Sequence, residues 1–222
     1  MTDNKKPILE EINKNSNKLY ILFGGIAAAM GMPPFEFYNS SRIIDENKIF
    51  LRDLSQSWYQ CGLSGIGNTV FDIGKFLDNK IKQIDPDEIF FVGNSMGGYA
   101  AILFASMLGC GKAIVFSPQT FISPIKRIKY KDWRWTKQIF NTYKATLLRI
   151  PQPIYDLKKV LSKNGSGYTV DIFVSRNNKI DLAHANRVKN FNNIYVHIYN
   201  VSGHNLVRYL RDNDQLHTIM KG

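Results

Sequence analysis

The sequence has few of the residues that stabilise a small fold by crosslinking. Its 222 residues include two cysteines, Cys61 and Cys110, and neither belongs to a CxxC pair or lies near a histidine at metal-ligand spacing. We therefore expect no disulfide framework and no structural zinc site. The HExxH and GxxxxGK[ST] patterns are absent, and Gly65 and Gly67 lack the third glycine of GxGxxG. No metal or nucleotide cofactor is expected from these patterns.

Long apolar runs are also missing. The first 18 residues are polar and of mixed charge, and the longest apolar stretches, residues 19–32 and 99–108, are short. A membrane-spanning helix needs roughly 20 apolar residues, and no stretch has the pattern of a secretory signal. The 44% hydrophobic and 21% charged residues are typical of a folded globular domain. We expect a soluble, cytoplasmic protein.

Acidic residues are scarce relative to basic ones, since 18 acids against 29 Lys and Arg give a net charge of +11. The excess is concentrated in residues 125–149, which hold eight basic residues, five aromatic residues and one acid, Asp132. Such a segment fits an anionic membrane surface, an acidic substrate or nucleic acid. The interpretation that we favour is a solvated basic face whose aromatic rings point into the protein. Basicity alone is weak support for nucleic-acid binding, and no nucleic-acid partner is expected.

Strand and helix patterns alternate along the chain. Short apolar runs predict strands at residues 18–26, 48–52, 88–92, 112–116, 168–174 and 194–199. Helical periods follow at residues 69–84, 96–108, 181–189 and 205–220. This alternation predicts a three-layer α/β/α sandwich with a mostly parallel sheet. We expect one domain over residues 1–222, with a mainly helical insertion at residues 120–167.

The motif with the most chemical content is Gly93-Asn94-Ser95-Met96-Gly97, a GxSxG sequence. It directly follows the apolar run 88–92 and opens the helical stretch 96–108, which is the context of a nucleophile elbow. The glycines allow a turn tight enough to project the Ser95 hydroxyl above the sheet. Without a base, the same residues would be only a tight strand–helix turn.

A serine nucleophile needs a histidine and an acid elsewhere in the chain. His204 lies in Ser202-Gly203-His204-Asn205, between the last predicted strand and the closing helix, and it could instead cap that helix. Asp181 follows the strand that ends near residue 174, whereas the alternative acid, Asp171, falls within that strand. The sequence pattern places His184 in a helix, His197 in a strand and His217 near the chain end. None of these three lies in a loop after a strand, where the catalytic histidine is expected.

With these residues the sequence resembles the α/β-hydrolase superfamily. The resemblance rests on Phe23-Gly24-Gly25-Ile26, on the GNSMGG elbow, and on Asp181 with Gly203-His204. The order serine, acid, histidine is that of the superfamily. The sequence lacks the HGGG motif of lipases, and the chain is short for the superfamily. The expected fold is therefore a compact α/β-hydrolase fold with a helical, lid-like insertion.

The resemblance implies a role for each matching residue. Ser95 would be the nucleophile, His204 the general base and then acid, and Asp181 the residue that orients the imidazole. The first oxyanion donor would be the backbone N–H of Met96, and the second would come from Gly25 or Ile26. The implied activity is cleavage of an ester or thioester through an acyl-enzyme.

The carboxyl ends of the parallel strands are expected to form one crevice above the sheet, and substrate contacts are predicted at two of its flanks. The loop after the second predicted strand carries Asp53 and Trp58, although Asp53 could simply pair with Arg52 or cap a turn. Gln119 follows the strand beside the elbow and could equally be an ordinary loop residue. Trp133 and Trp135 of the insertion would suit an acyl chain with an anionic head, or a sugar ring.

Three functions are compatible with these residues. The first is a serine hydrolase acting on a small-molecule or carbohydrate-linked acyl substrate. The second is an acyltransferase with the same triad. The third is a non-catalytic module of the same fold that binds an anionic partner through residues 125–149. The sequence does not indicate the oligomeric state.

Overall fold

The apolar runs form one seven-stranded sheet in the computed structural model, which describes residues 6–26, 35–161, 167–201 and 206–221. The sheet order is β1-β3-β2-β4-β5-β6-β7, and only β1 runs antiparallel to its neighbour. The strands are β1 (Ile8–Glu11), β2 (Lys18–Phe23), β3 (Asn47–Leu51), β4 (Glu88–Asn94), β5 (Lys112–Phe116), β6 (Thr169–Ser175) and β7 (Ile194–Tyr199).

Helices cover both faces of this sheet, as the alternating pattern predicts. They are α1 (Val70–Ile84), α2 (Met96–Leu108), α3 (Pro124–Tyr130), α4 (Thr136–Thr146), α5 (Leu157–Leu161), α6 (Lys179–Val188), α7 (Leu206–Asp212) and α8 (Gln215–Met220). Strand β2 shows how the layers form: Leu19, Ile21 and Phe23 pack into the core under α1 and α2, while Tyr20 and Leu22 pack into the core that includes α7 and α8. This alternation of side chains is the period of a strand buried on both faces, and the three-layer α/β/α fold is confirmed.

Two elements differ from the sequence expectation. Strand β1 is not predicted, because its four residues lie in a polar stretch and its pairing with β3 is a long-range contact. The closing helix, expected over residues 205–220, is divided into α7 and α8 by a turn at which Asp214 has a φ of 57°. A left-handed residue of this kind interrupts the backbone hydrogen bonds of a helix.

The expected insertion between β5 and β6 contains α3, α4 and α5. Its inner residues join the large core, where Ile139, Leu157 and Leu161 are buried. Helix α3 begins with Ser123 as its N-cap, whose hydroxyl accepts from the Lys126 N–H, and with Pro124 in its first turn. None of the described helices combines the length and the hydropathy needed to cross a bilayer.

Candidate active site

Ser95 lies at the sharp turn between β4 and α2, where the sequence predicts a nucleophile elbow. Its backbone has φ 52° and ψ −113°, a combination that is costly for a residue with a side chain. The Ser95 N–H donates to the carbonyl of Phe116 at 2.9 Å, and its carbonyl accepts from Tyr99 N at 3.0 Å and from Gln119 N at 3.3 Å. These bonds to β5, to α2 and to the loop after β5 hold the turn in its strained conformation.

The glycines of the motif are required by close backbone approach. A Cβ atom on Gly93 would lie 2.2 Å from the carbonyl oxygen of Gly97, and one on Gly97 would lie 2.2 Å from the carbonyl oxygen of Phe23. Both contacts are with backbone atoms, which cannot move aside as a flexible side chain can. The glycines therefore let α2 start directly against β2 and β4, and this position determines where Ser95 is held.

The three predicted oxyanion donors, Met96, Gly25 and Ile26, lie in different environments. Met96 is the first residue of α2, so its N–H belongs to the helix-terminal group that has no partner within the helix. The Gly25 N–H donates to Glu36 Oε2 at 2.5 Å, and Glu36 Oε1 accepts from Asn94 Nδ2 at 3.0 Å. Ile26 is partly buried against the core. In this structure a carboxylate therefore occupies one of the N–H groups that the sequence predicts as a donor to the oxyanion.

Glu36 is not among the site residues that the sequence predicts. It belongs to a segment, residues 35–44, in which no motif marks a catalytic role. Its position beside the elbow depends on the packing of Phe35 and Phe37 against the sheet, and single-sequence patterns do not report that contact.

Asp181, the predicted acid, is the third residue of α6 and is fully buried. Its Oδ1 accepts from Arg134 Nη1 at 2.7 Å, and its backbone N–H donates to Asn178 Oδ1 at 3.1 Å. Phe173 of β6 pairs with Phe116 of β5, which in turn pairs with Asn94 of β4. The alternative acid, Asp171, lies two positions before Phe173 in β6. Asp171 is therefore nearer the amino end of the sheet than the elbow is, and this geometry favours Asp181.

The predicted general base, His204, lies outside the described residues, as do Ser202, Gly203 and Asn205. Strand β7 ends at Tyr199 and α7 begins at Leu206. The alternative histidines have other surroundings. His197 Nε2 is 2.6 Å from Asp171 Oδ1, and His184 is fully enclosed. The role of His204 remains a prediction from the sequence.

A buried network connects the insertion to α6. Arg134 binds Asp132 through Nε at 2.9 Å and Nη2 at 3.0 Å while it also binds Asp181. Asp132 Oδ2 is 2.9 Å from His184 Nε2, and the Thr120 N–H donates to His184 Nδ1 at 2.9 Å. Because a backbone N–H can only donate, Nδ1 must be the unprotonated nitrogen of a neutral imidazole.

The same network shifts the pKa values of its members. Burial lowers the pKa of His184, in spite of the opposing hydrogen bond to Asp132. Burial by itself would raise the pKa of Asp132, but the hydrogen bonds from His184 and Arg134 hold that pKa well below its usual range. The network is therefore a neutral histidine and a carboxylate that is stabilised by a guanidinium.

The predicted substrate-binding residues fall into two groups. Gln119 and Trp58 are buried and joined, since Trp58 Nε1 donates to Gln119 Oε1 at 2.8 Å, and the Gln119 N–H in turn binds the Ser95 carbonyl. Asp53 uses its carboxylate within its own loop, where it accepts from the N–H groups of Ser55, Ser57 and Tyr59.

The tryptophans of the insertion do not share one environment. Trp133 is 60% exposed, whereas Trp135 is partly buried against the core. Contact of either ring with a substrate remains a prediction.

Three buried side-chain atoms close to Ser95 have no hydrogen-bond partner in the described structure: Asn94 Oδ1, Ser117 Oγ and Gln119 Nε2. Asn94 directly precedes Ser95. Ser117 directly follows Phe116, whose carbonyl accepts from the Ser95 N–H. Ser117 also has a left-handed φ of 42°. Unsatisfied buried polar atoms and strained residues are both costly, and both are concentrated at functional sites.

A cavity of about 750 Å³ is present elsewhere, between α1, α2 and the insertion. Its walls include Phe71, Met107, Ile125, Tyr155 and Val160, and none of the predicted site residues lines it. Within the described ranges, no group of three or more His, Cys, Asp or Glu side chains is placed to hold a metal ion.

Comparisons with known proteins find similarity at the level of structure. No family model matches the chain, and no curated protein sequence matches it. The capsule O-acetyltransferase of Neisseria meningitidis serogroup A superposes with a TM-score of 0.67 at 14% identity, over 97% of this chain and 90% of that chain. The S-formylglutathione hydrolase FrmB of Staphylococcus aureus has a TM-score of 0.58 at 16% identity, over 93% and 84% of the two chains.

A carboxylesterase of the thaumarchaeon Nitrososphaera gargenis has a TM-score of 0.53 at 10% identity, over 96% of this chain and 94% of that chain. Identities this low leave the activity of each neighbour with that neighbour and carry over the fold alone. The agreement extends over nearly the whole chain and includes the mostly parallel sheet. The chain therefore has an α/β-hydrolase-like fold.

Proposed function

We propose that the protein is a serine hydrolase that cleaves an ester or thioester through a covalent acyl intermediate on Ser95. The observation that carries this proposal is the strained backbone of Ser95, with φ 52° and ψ −113°, at a strand–helix turn. A non-catalytic turn at this place has no reason to keep a side chain in that conformation. The glycine contacts described above make the same turn sterically demanding.

The reaction follows from the roles that the resemblance assigns. Ser95 Oγ attacks the carbonyl carbon while His204 takes its proton, and the negative charge develops on the carbonyl oxygen near the Met96 N–H. The C–O or C–S bond to the leaving group then breaks, and His204 returns the proton to that alcohol or thiol. A water molecule, deprotonated by His204, releases the acyl group as a carboxylic acid and restores Ser95.

Acyl transfer to a hydroxyl acceptor is the second candidate. The fold that this chain shares with the capsule O-acetyltransferase, at a TM-score of 0.67, is compatible with this reaction. A variant of that acetyltransferase was solved in complex with CoA. Ser117 Oγ and Gln119 Nε2, which have no hydrogen-bond partner among the described residues, are groups of the kind that bind a hydroxyl-rich acceptor such as a carbohydrate. The acceptor then replaces water in the second half of the reaction.

Labelling with a fluorophosphonate probe tests the activated serine. We expect the wild-type protein to be labelled and Ser95→Ala to be unlabelled. Ser106→Ala is the matched control, because Ser106 is a buried serine of α2 whose hydroxyl donates to the Leu103 carbonyl. Its labelling should equal that of the wild type. A folded wild-type protein that takes no label would contradict the proposal and favour the non-catalytic module.

A second assay separates the two candidates. Acetyl-CoA and a short-chain p-nitrophenyl ester are supplied with and without an oligosaccharide mixture, and both acetate and acetylated sugar are measured. Acetate release that does not change when the sugar is added supports hydrolysis. Acetylated sugar that depends on Ser95 supports transfer. Neither product, from a protein that takes the fluorophosphonate label, would show that the acyl group is of another size.

A further inference from the structure

Exposed apolar side chains are concentrated in one part of the surface. Of the 14 large hydrophobic residues exposed in the described chain, seven lie between residues 125 and 150. They are Ile125, Ile128, Trp133, Phe140, Leu147, Leu148 and Ile150, of which Leu148 is 91% and Ile150 is 89% exposed. The expectation that the aromatic rings of this segment point inward holds for Trp135 and Tyr143, which pack against the core, and is wrong for Trp133 and Phe140.

Helix α4 and the turn after it place three of these apolar residues and two lysines in one stripe. Lys137, Phe140 and Lys144 lie on α4 at spacings of three and four residues, and Leu147 and Leu148, which follow Lys144 by three and four residues, lie in the turn directly after the helix. The other side of α4 is buried through Ile139, Thr142 and Thr146. The stripe is therefore a second apolar face, mixed with basic groups, on a helix whose first apolar face already packs on the core.

The exposed charges of this region have one sign. Asp132 is the one acid among residues 125–150, and it is buried against Arg134 and His184. Lys129, Lys131, Lys137 and Lys144 are exposed. We call the surface formed by α3, α4, Trp133 and residues 147–150 the basic apolar face.

We propose that the basic apolar face binds the surface of an anionic lipid bilayer. Aliphatic and aromatic side chains enter the boundary between headgroups and acyl chains, while the lysines remain among negatively charged headgroups. Trp133 suits this interface because an indole has an apolar body and one polar N–H. The proposal does not depend on Ser95 and adds a location to the proposed function.

Charge decides between this partner and the two other candidates. A second copy of the chain would bring the same lysines against each other in a symmetric contact, which like charges disfavour. Nucleic acid would use the lysines but leave the leucines and isoleucines in water, since phosphate contacts require no aliphatic surface. An anionic bilayer uses both components of the face.

Vesicle cosedimentation with the full chain tests the proposal. Phosphatidylcholine vesicles are compared with vesicles that contain about one-third phosphatidylglycerol, an anionic lipid. We expect at least about tenfold stronger binding to the anionic vesicles at low salt, weakened in about 0.5 M salt where charges are screened. Equal binding to both kinds of vesicle, or none to the anionic vesicles, would overturn the proposal.

Two sets of variants assign the binding to this face. The triple variant Phe140→Ser, Leu147→Ser, Leu148→Ser should bind anionic vesicles at least about tenfold more weakly. Ile43→Ser, Tyr195→Ser, Ile198→Ser is the control, because it replaces three exposed apolar side chains elsewhere on the surface, and it should bind like the wild type. Lys137→Glu and Lys144→Glu should each weaken binding about fivefold or more.

Size-exclusion chromatography with light scattering completes the test. We expect the wild-type protein and the triple variant to have the same mass at every concentration. A concentration-dependent dimer that only the wild type forms, with vesicle binding unchanged in the triple variant, would overturn the proposal and make the face a contact between copies. Unchanged far-ultraviolet circular dichroism of each variant confirms that any loss of binding is not a loss of folding.

Discussion

Arg134 Nη1 lies 2.7 Å from Asp181 Oδ1, so a residue of the insertion forms an ion pair with the carboxylate that the sequence predicts as the catalytic acid. The same guanidinium binds both oxygens of Asp132. Asp132 and Asp181 are fully buried, and the Arg134 side chain is 25% exposed. The insertion therefore supplies positive charge to a buried carboxylate of the main fold, and its position is coupled to that of α6.

The first prediction concerns the stability that this contact provides. Arg134→Ala leaves the buried Asp132 and Asp181 without their shared guanidinium, and breaking a buried pair in this way costs about 3 kcal/mol or more. Urea denaturation should show this loss in the free energy of unfolding. Arg211→Ala is the control, since Arg211 is exposed and its partner is the neighbouring Asp212, and it should change stability by less than about 0.5 kcal/mol. Equal effects of the two variants would contradict a structural role for Arg134.

The second prediction separates the catalytic role of Asp181 from its structural one. Under the proposed function, Asp181→Asn removes the charge that orients the general base and should lower turnover by about a thousandfold or more. Asp132→Asn removes the other carboxylate of Arg134 and should destabilise the fold while turnover stays within about fivefold of the wild type. Ester hydrolysis at a temperature where both variants are folded gives the comparison. Near-normal turnover in Asp181→Asn would assign the acid role elsewhere.

Most of the fold and the elbow could be predicted from the sequence because both produce local patterns. Continuous apolar runs of five or six residues mark strands buried on both faces. The GxSxG glycines mark a turn whose backbone contacts exclude a Cβ atom, and the structure shows those contacts at Gly93 and Gly97. The helix start at Thr69 is equally local, since Thr69 and Asp72 form a capping box within four residues.

The residues that the sequence does not predict act through long-range contacts. Glu36 reaches Gly25 and Asn94, and Arg134 reaches Asp181 across 47 positions of the chain. A single sequence gives no sign of such pairs, because each residue alone has the pattern of an ordinary surface charge. The division of the closing helix into α7 and α8 is not predicted for another reason. The apolar periodicity continues through Leu210, Leu216 and Met220, although the backbone turns at Asp214.

The third prediction tests the steric requirement at the elbow. Gly97→Ala places a Cβ 2.2 Å from the Phe23 carbonyl oxygen, so the start of α2 must shift. We expect a loss of about 3 kcal/mol or more in stability and no fluorophosphonate labelling. Gly24→Ala is the matched control on the neighbouring turn, because its Cβ would meet Leu51 O at 3.5 Å, an ordinary distance. It should remain folded and be labelled. Full labelling of Gly97→Ala would show that the turn tolerates a side chain.

The fourth prediction concerns the hydrogen bond between Trp58 and Gln119. Gln119→Leu leaves the buried Trp58 Nε1–H without an acceptor, which costs about 1–3 kcal/mol. Trp58→Phe in the same chain removes that donor, so the double variant should be less destabilised than the sum of the single variants. Denaturation of the four proteins measures this coupling. Additive losses would mean that the bond contributes nothing.

The same variants test contact of Gln119 with substrate under the proposed function. Gln119 Nε2 is buried without a partner in the described structure, and the Gln119 N–H binds the Ser95 carbonyl. We expect Gln119→Leu to raise KM by about tenfold, the effect of losing one hydrogen bond to substrate. Trp58→Phe keeps the Gln119 amide and an aromatic ring at position 58, and the Nε1–H that it removes already binds Gln119 Oε1, so KM should stay within about threefold of the wild type. A KM that rises equally in both variants would point to displacement of the loop instead.

The fifth prediction is a pH dependence of stability that originates at His184. The imidazole is neutral in the folded state, since Nδ1 accepts from the Thr120 N–H, and burial lowers its pKa. In the unfolded chain a histidine titrates near pH 6.5. As the pH falls below about 6.5, the unfolded state takes up a proton that the folded state does not, so the free energy of unfolding falls by up to about 1.4 kcal/mol per pH unit.

Urea denaturation at several pH values between about 7.5 and 5 measures this slope, in a range above the ordinary pKa of an aspartate. The depressed pKa of Asp132 stabilises the fold throughout that range, and its contribution is lost only in stronger acid. His184→Gln should flatten the slope, because glutamine does not titrate. Phe121→Leu removes the ring whose centroid lies 4.1 Å from that of the imidazole yet keeps the histidine, so it should lower stability and retain the wild-type slope. If His184→Gln retains that slope as well, the pH dependence originates at other groups and the neutral His184 assignment is wrong.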